Sequence, residues 1–97
     1  MTRRQHILIL DDEPYIGSSL RLILQGEGFR VTVCESVAQF QAGRGRQRAD
    51  LYLLDVKLPD GNGIDVLQSL KHADDPAPAV MISGHATIRD AVAAARS

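Results

Sequence analysis

The feature of this sequence that most limits its fold is a regular alternation between short apolar runs and longer segments with helical spacing. The first run, HILIL at residues 6–10, is apolar after its histidine and ends at charged residues. Such runs are typical of strands that are buried on both faces of a parallel sheet. We predict four strands of this kind, at residues 6–10, 29–34, 51–54 and 79–82.

Helical spacing appears between these runs. The predicted inward-facing residues of the first three helices are Ile16, Leu20, Ile23 and Leu24, then Val37 and Phe40, then Ile64, Leu67 and Leu70. Pro14 suits the first turn of the first helix, while Ser36 and Asn62 suit the caps of the second and third. Gly43 and Gly45 are expected to end the second helix. Strand and helix alternate four times, which predicts an α/β fold with parallel strands and right-handed crossovers.

Polar residues follow three of the predicted strands. Asp11 and Asp12 come after the first strand, and Asp55 comes after the third. Ser83 follows the fourth strand. Ligands of such sheets bind beyond the carboxyl ends of the strands. Two carboxylates about 5 Å apart repel by about 3 kcal/mol at an effective dielectric of about 20. The group should therefore protonate, separate or bind a cation, and its oxygen ligands favour Mg²⁺.

Carboxylates beside Mg²⁺ suit phosphoryl transfer. A carboxylate can attack phosphorus to form an acyl phosphate, and the metal offsets charge on the phosphoryl oxygens. The Ser83 hydroxyl could donate a hydrogen bond to one of those oxygens, and Gly84 would leave room for the group. Structural roles are the alternative, because Asp12 could cap the first helix and Ser83 the fourth. The coincidence of polar residues at three strand ends favours the functional interpretation.

Three motifs make the chain resemble the receiver domains of bacterial two-component response regulators. They are ILILDDEP at 7–14, LLDVKLPDGNG at 53–63 and VMISGH at 80–85. The run SGHATI at 83–88 is similar to receivers of the nitrogen-regulation type, which often precede a sigma-54-activating ATPase. The resemblance implies a flavodoxin-like, doubly wound parallel sheet with the strand order 2-1-3-4-5.

The resemblance also assigns roles to single residues. It implies that Asp55 is the phosphoacceptor and that a partner sensor histidine kinase phosphorylates it. It implies that Asp12 contacts Mg²⁺ directly, that Asp11 contacts it mainly through water, and that the backbone carbonyl of Lys57 is a further ligand. Ser83 would move towards the phosphoryl group on activation and shift the following helix, whose surface partners recognise.

The resemblance does not extend to the fifth strand, the fifth helix or the lysine that pairs with the phosphoryl group. We therefore expect residues 1–97 to form one receiver domain that is incomplete at its C-terminus, with the strand order 2-1-3-4. An output domain that regulates transcription is expected outside this chain. The exposed edge of the fourth strand, or the fourth helix at 87–96, is the expected contact of a homodimer.

Composition excludes several classes of function. The net charge of −1 argues against a nucleic-acid surface or a membrane-binding face, and we expect Arg44, Arg46 and Arg48 to lie in a solvated loop. No stretch reaches the roughly 18 apolar residues of a membrane helix. Cys34, the one cysteine, is expected in the core and fits a reducing, cytoplasmic setting. His6 is expected at the surface.

Two rival functions stay open at this point. One is a binding-only pseudo-receiver that uses the fold for protein contacts. The other is a phosphohydrolase of the haloacid dehalogenase type, which also uses an aspartate nucleophile and Mg²⁺. That family carries a D-x-D pattern after its first strand, whereas Asp11 and Asp12 are adjacent here. We therefore expect a phosphoacceptor and not an enzyme.

Overall fold

The computed structural model of this protein describes residues 4–82. Its elements in chain order are β1 (His6–Leu10), α1 (Pro14–Gly26), β2 (Arg30–Cys34), α2 (Val37–Arg46), β3 (Leu51–Asp55), β4 (Lys57–Leu58), β5 (Gly61–Asn62), α3 (Gly63–His72) and β6 (Ala79–Ile82). Strands β1, β2, β3 and β6 are the four predicted strands, although β2 begins one residue later than predicted and β3 includes Asp55. Ser83 and the predicted fourth helix lie outside the described residues.

The four longer strands form one parallel sheet in the order β2-β1-β3-β6, which confirms the predicted order. Leu10 pairs with Leu54, so β1 and β3 end at the same level. Asp55 pairs with Ile82 at the end of β6. Asp11, which follows β1, and Asp55, the last residue of β3, are therefore neighbours at the carboxyl edge of the sheet. Beyond β3, strands β4 and β5 form a separate antiparallel hairpin.

Apolar side chains cover both faces of this sheet. On one face, Leu8 and Leu10 of β1 pack with Phe40 of α2 and with Val66 and Leu70 of α3. On the other face, alternate residues of the strands pack with α1; the buried members of this cluster are Ile7, Ile9, Leu20, Leu24, Leu53 and Ile82. Because helices lie on both sides, the central strands are apolar at nearly every position. This arrangement confirms the doubly wound architecture.

Two residues predicted to face inward lie on the flanks of their helices instead. Ile23 is 40% exposed and Ile64 is 48% exposed. The core-facing stripe of α1 is taken by Leu20 and Leu24, and that of α3 includes Val66, which the sequence did not single out. A helix that packs on one sheet buries only a narrow stripe, so apolar residues beside it remain accessible. None of the helices between residues 4 and 82 combines the length and apolar character that crossing a bilayer requires.

Gly43 and Gly45 do not end α2, contrary to prediction, because the helix continues past both. A Cβ at Gly43 would lie 3.7 Å from the Cys34 sulfur, so the helix packs closely on the sheet at this point. Arg44 forms an ion pair with Asp75, with 3.1 Å between Nε and Oδ2, and so does not lie in a solvated loop as expected. These tertiary contacts offset the roughly 1 kcal/mol that a glycine costs a helix relative to alanine.

His6 is buried, contrary to prediction, with 1% of its surface exposed. Its Nδ1 lies 3.0 Å from the carbonyl oxygen of Arg48, and its Nε2 lies 2.8 Å from the Thr32 hydroxyl. Its backbone N–H donates to the Asp50 carboxylate at 2.8 Å. Since both ring nitrogens have partners, burying this polar ring carries little penalty. Cys34 is buried, as predicted.

Candidate functional site

Three carboxylates converge at the carboxyl edge of the sheet. Asp11 and Asp12 follow β1, and Asp55 is the last residue of the neighbouring strand β3. One carboxylate oxygen from each residue lies within 4.8 Å of the other two. Asp11 and Asp55 are buried, whereas Asp12 is exposed, so the cluster opens to solvent on the side of Asp12. The predicted convergence of these side chains is therefore observed.

Burial changes the acidity of Asp11. Its removal from water raises the pKa of the carboxyl group from 3.8 to about 6. The hydrogen bond that Oδ1 accepts from the Glu13 N–H, at 2.8 Å, acts in the opposite direction. The negative charges of Asp55 and Asp12 add to the rise. On balance, the surroundings of Asp11 disfavour its ionised form relative to water.

Asp55 is perturbed in the same direction. Burial raises the pKa of its carboxyl group above the ordinary value, and the charge of Asp12 raises it further. Backbone N–H groups of Val56 and Lys57 donate to this carboxylate and partly oppose the rise; the Val56 bond measures 2.8 Å. A nearby cation would favour the ionised forms of both buried carboxylates.

The three carboxylates are suited to a divalent cation that prefers oxygen ligands. All three side chains offer carboxylate oxygen, which Mg²⁺ prefers, and Mg²⁺ usually keeps several waters besides one or two carboxylates. Two oxygens bound to one Mg²⁺ ion lie within about 4.2 Å of each other. Three oxygens bound directly to one octahedral ion include at least two adjacent pairs about 3 Å apart, so some of the observed spacings of up to 4.8 Å would have to shorten by up to about 1.8 Å. Asp11, Asp12 and Asp55 are the residues that would hold the ion.

The capping role considered for Asp12 is taken by its neighbour. Glu13 is the N-cap of α1, and its carboxylate accepts a hydrogen bond from the Tyr15 N–H at 3.3 Å. Asp12 therefore has an exposed carboxylate beside two buried ones and does not cap the helix. This placement favours a role in binding a cation over a role in helix formation.

The segment after Asp55 turns back as the β4–β5 hairpin, and its backbone lies against Asp55. The Lys57 N–H donates to the Asp55 carboxylate, and the Gly63 N–H donates to the Val56 carbonyl at 2.8 Å. A Cβ on Gly63 would lie 1.9 Å from the carbonyl oxygen of Asp55. Glycine is therefore needed where α3 begins. The Lys57 side chain is exposed, so it is the backbone of this residue that lies near Asp55.

One residue that bears on this site was missed by the sequence analysis. The Asp60 carboxylate accepts hydrogen bonds from the backbone N–H groups of Val37 and Ala38, at 2.8 and 3.1 Å. These partners lie more than 20 positions away, and no local pattern indicates such a contact. Ser83 lies outside the described residues, so its hydrogen bond to a phosphoryl group stays a prediction. The ligand role of the Lys57 carbonyl also stays a prediction.

Comparison with known proteins identifies the class that this fold and site define. The family model for the response regulator receiver domain matches residues 7–97, and the chain belongs to that family. It is 41% identical over 91 residues to the DNA-binding response regulator MtrA of Mycolicibacterium smegmatis, a match that covers 94% of this chain and 40% of MtrA. The chain thus spans less than half the length of this relative.

Solved structures agree with this assignment. The response regulator TrrA of Thermotoga maritima, determined in complex with Mg²⁺-BeF, is 26% identical with a TM-score of 0.77, covering 84% of this chain and 70% of that one. The receiver domain of NtrC4, determined as a beryllofluoride-activated dimer, is 28% identical with a TM-score of 0.76, covering 94% of this chain and 75% of that one. The similarity to NtrC4 is consistent with the resemblance of residues 83–88 to receivers of the nitrogen-regulation type.

Proposed function

We propose that this chain accepts a phosphoryl group on Asp55 beside a bound Mg²⁺ ion and so controls an output domain outside residues 1–97. The proposed ligands of Mg²⁺ are Asp11, Asp12, Asp55 and the backbone carbonyl of Lys57. The observation that supports this most directly is the approach of three carboxylate oxygens to within 4.8 Å at the ends of adjacent parallel strands. The Mg²⁺-BeF complex of TrrA, a member of the same family, supports the choice of ion.

The chemistry proposed for Asp55 is nucleophilic. A carboxylate oxygen attacks phosphorus and forms an acyl phosphate, while the P–N bond to a phosphohistidine of the sensor kinase breaks and the imidazole takes up a proton. A bound Mg²⁺ supplies positive charge that offsets the charge on the phosphoryl oxygens. The N–H groups of Val56 and Lys57 hold the Asp55 carboxylate in a fixed orientation. Ser83 is the proposed donor to the phosphoryl group.

The proposed partners follow from the family. A sensor histidine kinase donates the phosphoryl group, in the cytoplasm. MtrA is named as DNA-binding, and we propose that the output domain regulated by this chain likewise acts in transcription. The NtrC4 receiver was determined as a dimer, which supports homodimer contacts through the edge of β6 or through the predicted fourth helix.

Phosphorylation by a small phosphodonor tests this proposal. The protein is incubated with acetyl phosphate and Mg²⁺, and the added phosphoryl group is measured by intact-mass spectrometry. We expect one acyl phosphate in the wild type and none in Asp55→Asn, because an amide cannot act as the acceptor. Asp65→Asn removes an exposed carboxylate from α3 and is the matched control, which should label normally.

Three results would contradict the proposal. Equal labelling of Asp55→Asn would show that another residue is the acceptor. Failure of acetyl phosphate and of beryllofluoride to alter a form of the protein that includes the fifth strand would favour a binding-only pseudo-receiver. Sustained release of phosphate from a phosphate ester would favour a hydrolase instead.

A further inference from the structure

The turn of the β4–β5 hairpin is attached to the start of α2 by one carboxylate. Asp60 lies in the two-residue turn between β4 and β5, and its side chain is exposed. Its Oδ1 accepts from the Val37 N–H at 2.8 Å, and its Oδ2 accepts from the Ala38 N–H at 3.1 Å. Both carboxylate oxygens of one residue therefore bind the same helix terminus.

The local capping residues of α2 do not accept hydrogen bonds from the N–H groups of Val37 and Ala38. The Ser36 hydroxyl accepts from the Gln39 N–H at 3.2 Å, and the Gln39 side chain accepts from the Glu35 N–H at 2.8 Å. These two bonds resemble a capping box, except that Gln39 binds the N–H of Glu35 and not that of the N-cap Ser36. They leave the N–H groups of Val37 and Ala38 to another partner. Asp60 supplies that partner and places negative charge at the positive end of the helix dipole.

Close packing accompanies these hydrogen bonds. A Cβ on Gly61, the residue after Asp60, would lie 3.0 Å from a methyl carbon of Val37. Leu58, on the other strand of the hairpin, packs against the same core cluster as Val37. The hairpin is therefore fixed at its turn by α2. At its opposite end, the Lys57 N–H donates to the Asp55 carboxylate.

We propose that Asp60 is a positioning residue that holds the β4–β5 hairpin, and with it the Lys57 backbone, beside Asp55 by binding the N-terminus of α2. Asp60 is not one of the proposed ligands of the cation. Its effect on Mg²⁺ binding rests on the proposed function, because Lys57 is there a ligand through its carbonyl. Groups that orient metal ligands typically change affinity by 10- to 100-fold when they are removed.

Two variants separate this role from general damage to α2. Asp60→Asn removes the charge and one of the two acceptor oxygens that bind the helix. Ser36→Ala removes the cap that α2 carries itself, so it weakens the same helix terminus without touching the hairpin. The readouts are the amide resonances of Val56 and Lys57 without metal, and the affinity for Mg²⁺ alone by titration. If Asp60→Asn does not fold, Asp60→Ser, which keeps one oxygen, takes its place.

We expect Asp60→Asn to shift the Val56 and Lys57 resonances and to weaken Mg²⁺ binding about tenfold, at the lower end of the usual range. Ser36→Ala should leave both resonances and the affinity near wild type. Unmoved resonances in Asp60→Asn, or an equal loss of affinity in Ser36→Ala, would overturn the inference. If the wild type binds no Mg²⁺, the proposed function fails, and the metal-free resonances alone decide whether Asp60 positions the hairpin.

Discussion

The pKa of Asp11 should make Mg²⁺ binding depend on pH well above the range in which aspartates normally titrate. Burial raises this pKa from 3.8 to about 6, and the carboxyl group must be ionised to bind the cation. At that pKa, Asp11 is about 90% ionised at pH 7 and about 10% ionised at pH 5. We expect the affinity for Mg²⁺ to fall about tenfold over this interval. With an ordinary pKa, ionisation at pH 5 would still exceed about 90%.

The same shift acts on the stability of the metal-free protein. The pKa of Asp11 is higher in the folded protein than in the unfolded chain, so the folded form binds an extra proton between pH 7 and pH 5. The free energy of unfolding should therefore rise by about 1 kcal/mol as the pH falls through this window. Asp60 and Asp75 have lowered pKa values, so they stabilise the fold when ionised. Their contributions to the free energy of unfolding are lost only below about pH 4.

Calorimetric titration with Mg²⁺ at pH 7, 6 and 5 measures how the affinity for the ion depends on pH. Urea unfolding in the presence of a chelator measures how the free energy of unfolding depends on pH. Asp11→Asn is the control, since it removes one titrating group and should reduce the pH dependence of both quantities, leaving only the part that comes from Asp55. A wild-type affinity that does not change between pH 7 and pH 5 would refute the reasoning. So would a profile of unchanged slope in Asp11→Asn.

Two further substitutions test the packing around the site. Gly63→Ala should lower the free energy of unfolding by about 3 kcal/mol, because the added carbon would lie 1.9 Å from the Asp55 carbonyl oxygen and must displace backbone; chemical denaturation showing a loss below about 1 kcal/mol would contradict this close approach. Tyr52→Phe removes the hydroxyl that donates to Asp75 at 2.5 Å but keeps the ring against Phe40. We expect a loss of about 1–2 kcal/mol by urea unfolding, and an unchanged midpoint would show that this bond contributes nothing.

The sheet and the convergence of carboxylates could be predicted because each depends on a local pattern and one general rule. The strands β1 and β3 are apolar at consecutive positions because helices cover both of their faces. Once two such strands are parallel neighbours, the residues that follow them meet at one edge. The pairing of Leu10 with Leu54 then brings Asp11 and Asp55 together, with no further information needed.

The features that could not be predicted depend on partners distant in the sequence. His6 reads as a polar residue at a strand start, yet its ring and backbone bind groups 26 to 44 residues away. Arg44 follows a glycine in a polar stretch, yet it pairs with Asp75, 31 residues on. Asp60 reads as a turn residue, and its role as a helix cap depends on how α2 meets the hairpin. Such contacts become visible only once the elements are packed.

Four carboxylates among residues 4–82 form two pairs by the direction in which folding shifts their pKa. Backbone N–H groups of Val37 and Ala38 lower the pKa of Asp60, and the pKa of Asp75 is lowered by hydrogen bonds, chiefly from Tyr52, that outweigh its burial. These acids are stabilised as anions and serve the fold. Asp11 and Asp55 are buried beside other carboxylates, and the pKa of each is raised. Because burial disfavours the ionised forms of Asp11 and Asp55, these two residues lower the free energy of unfolding of the metal-free protein at neutral pH. A divalent cation bound beside them would remove this destabilisation. This contrast sets the candidate site apart by its energetics as well as by its position in the sheet.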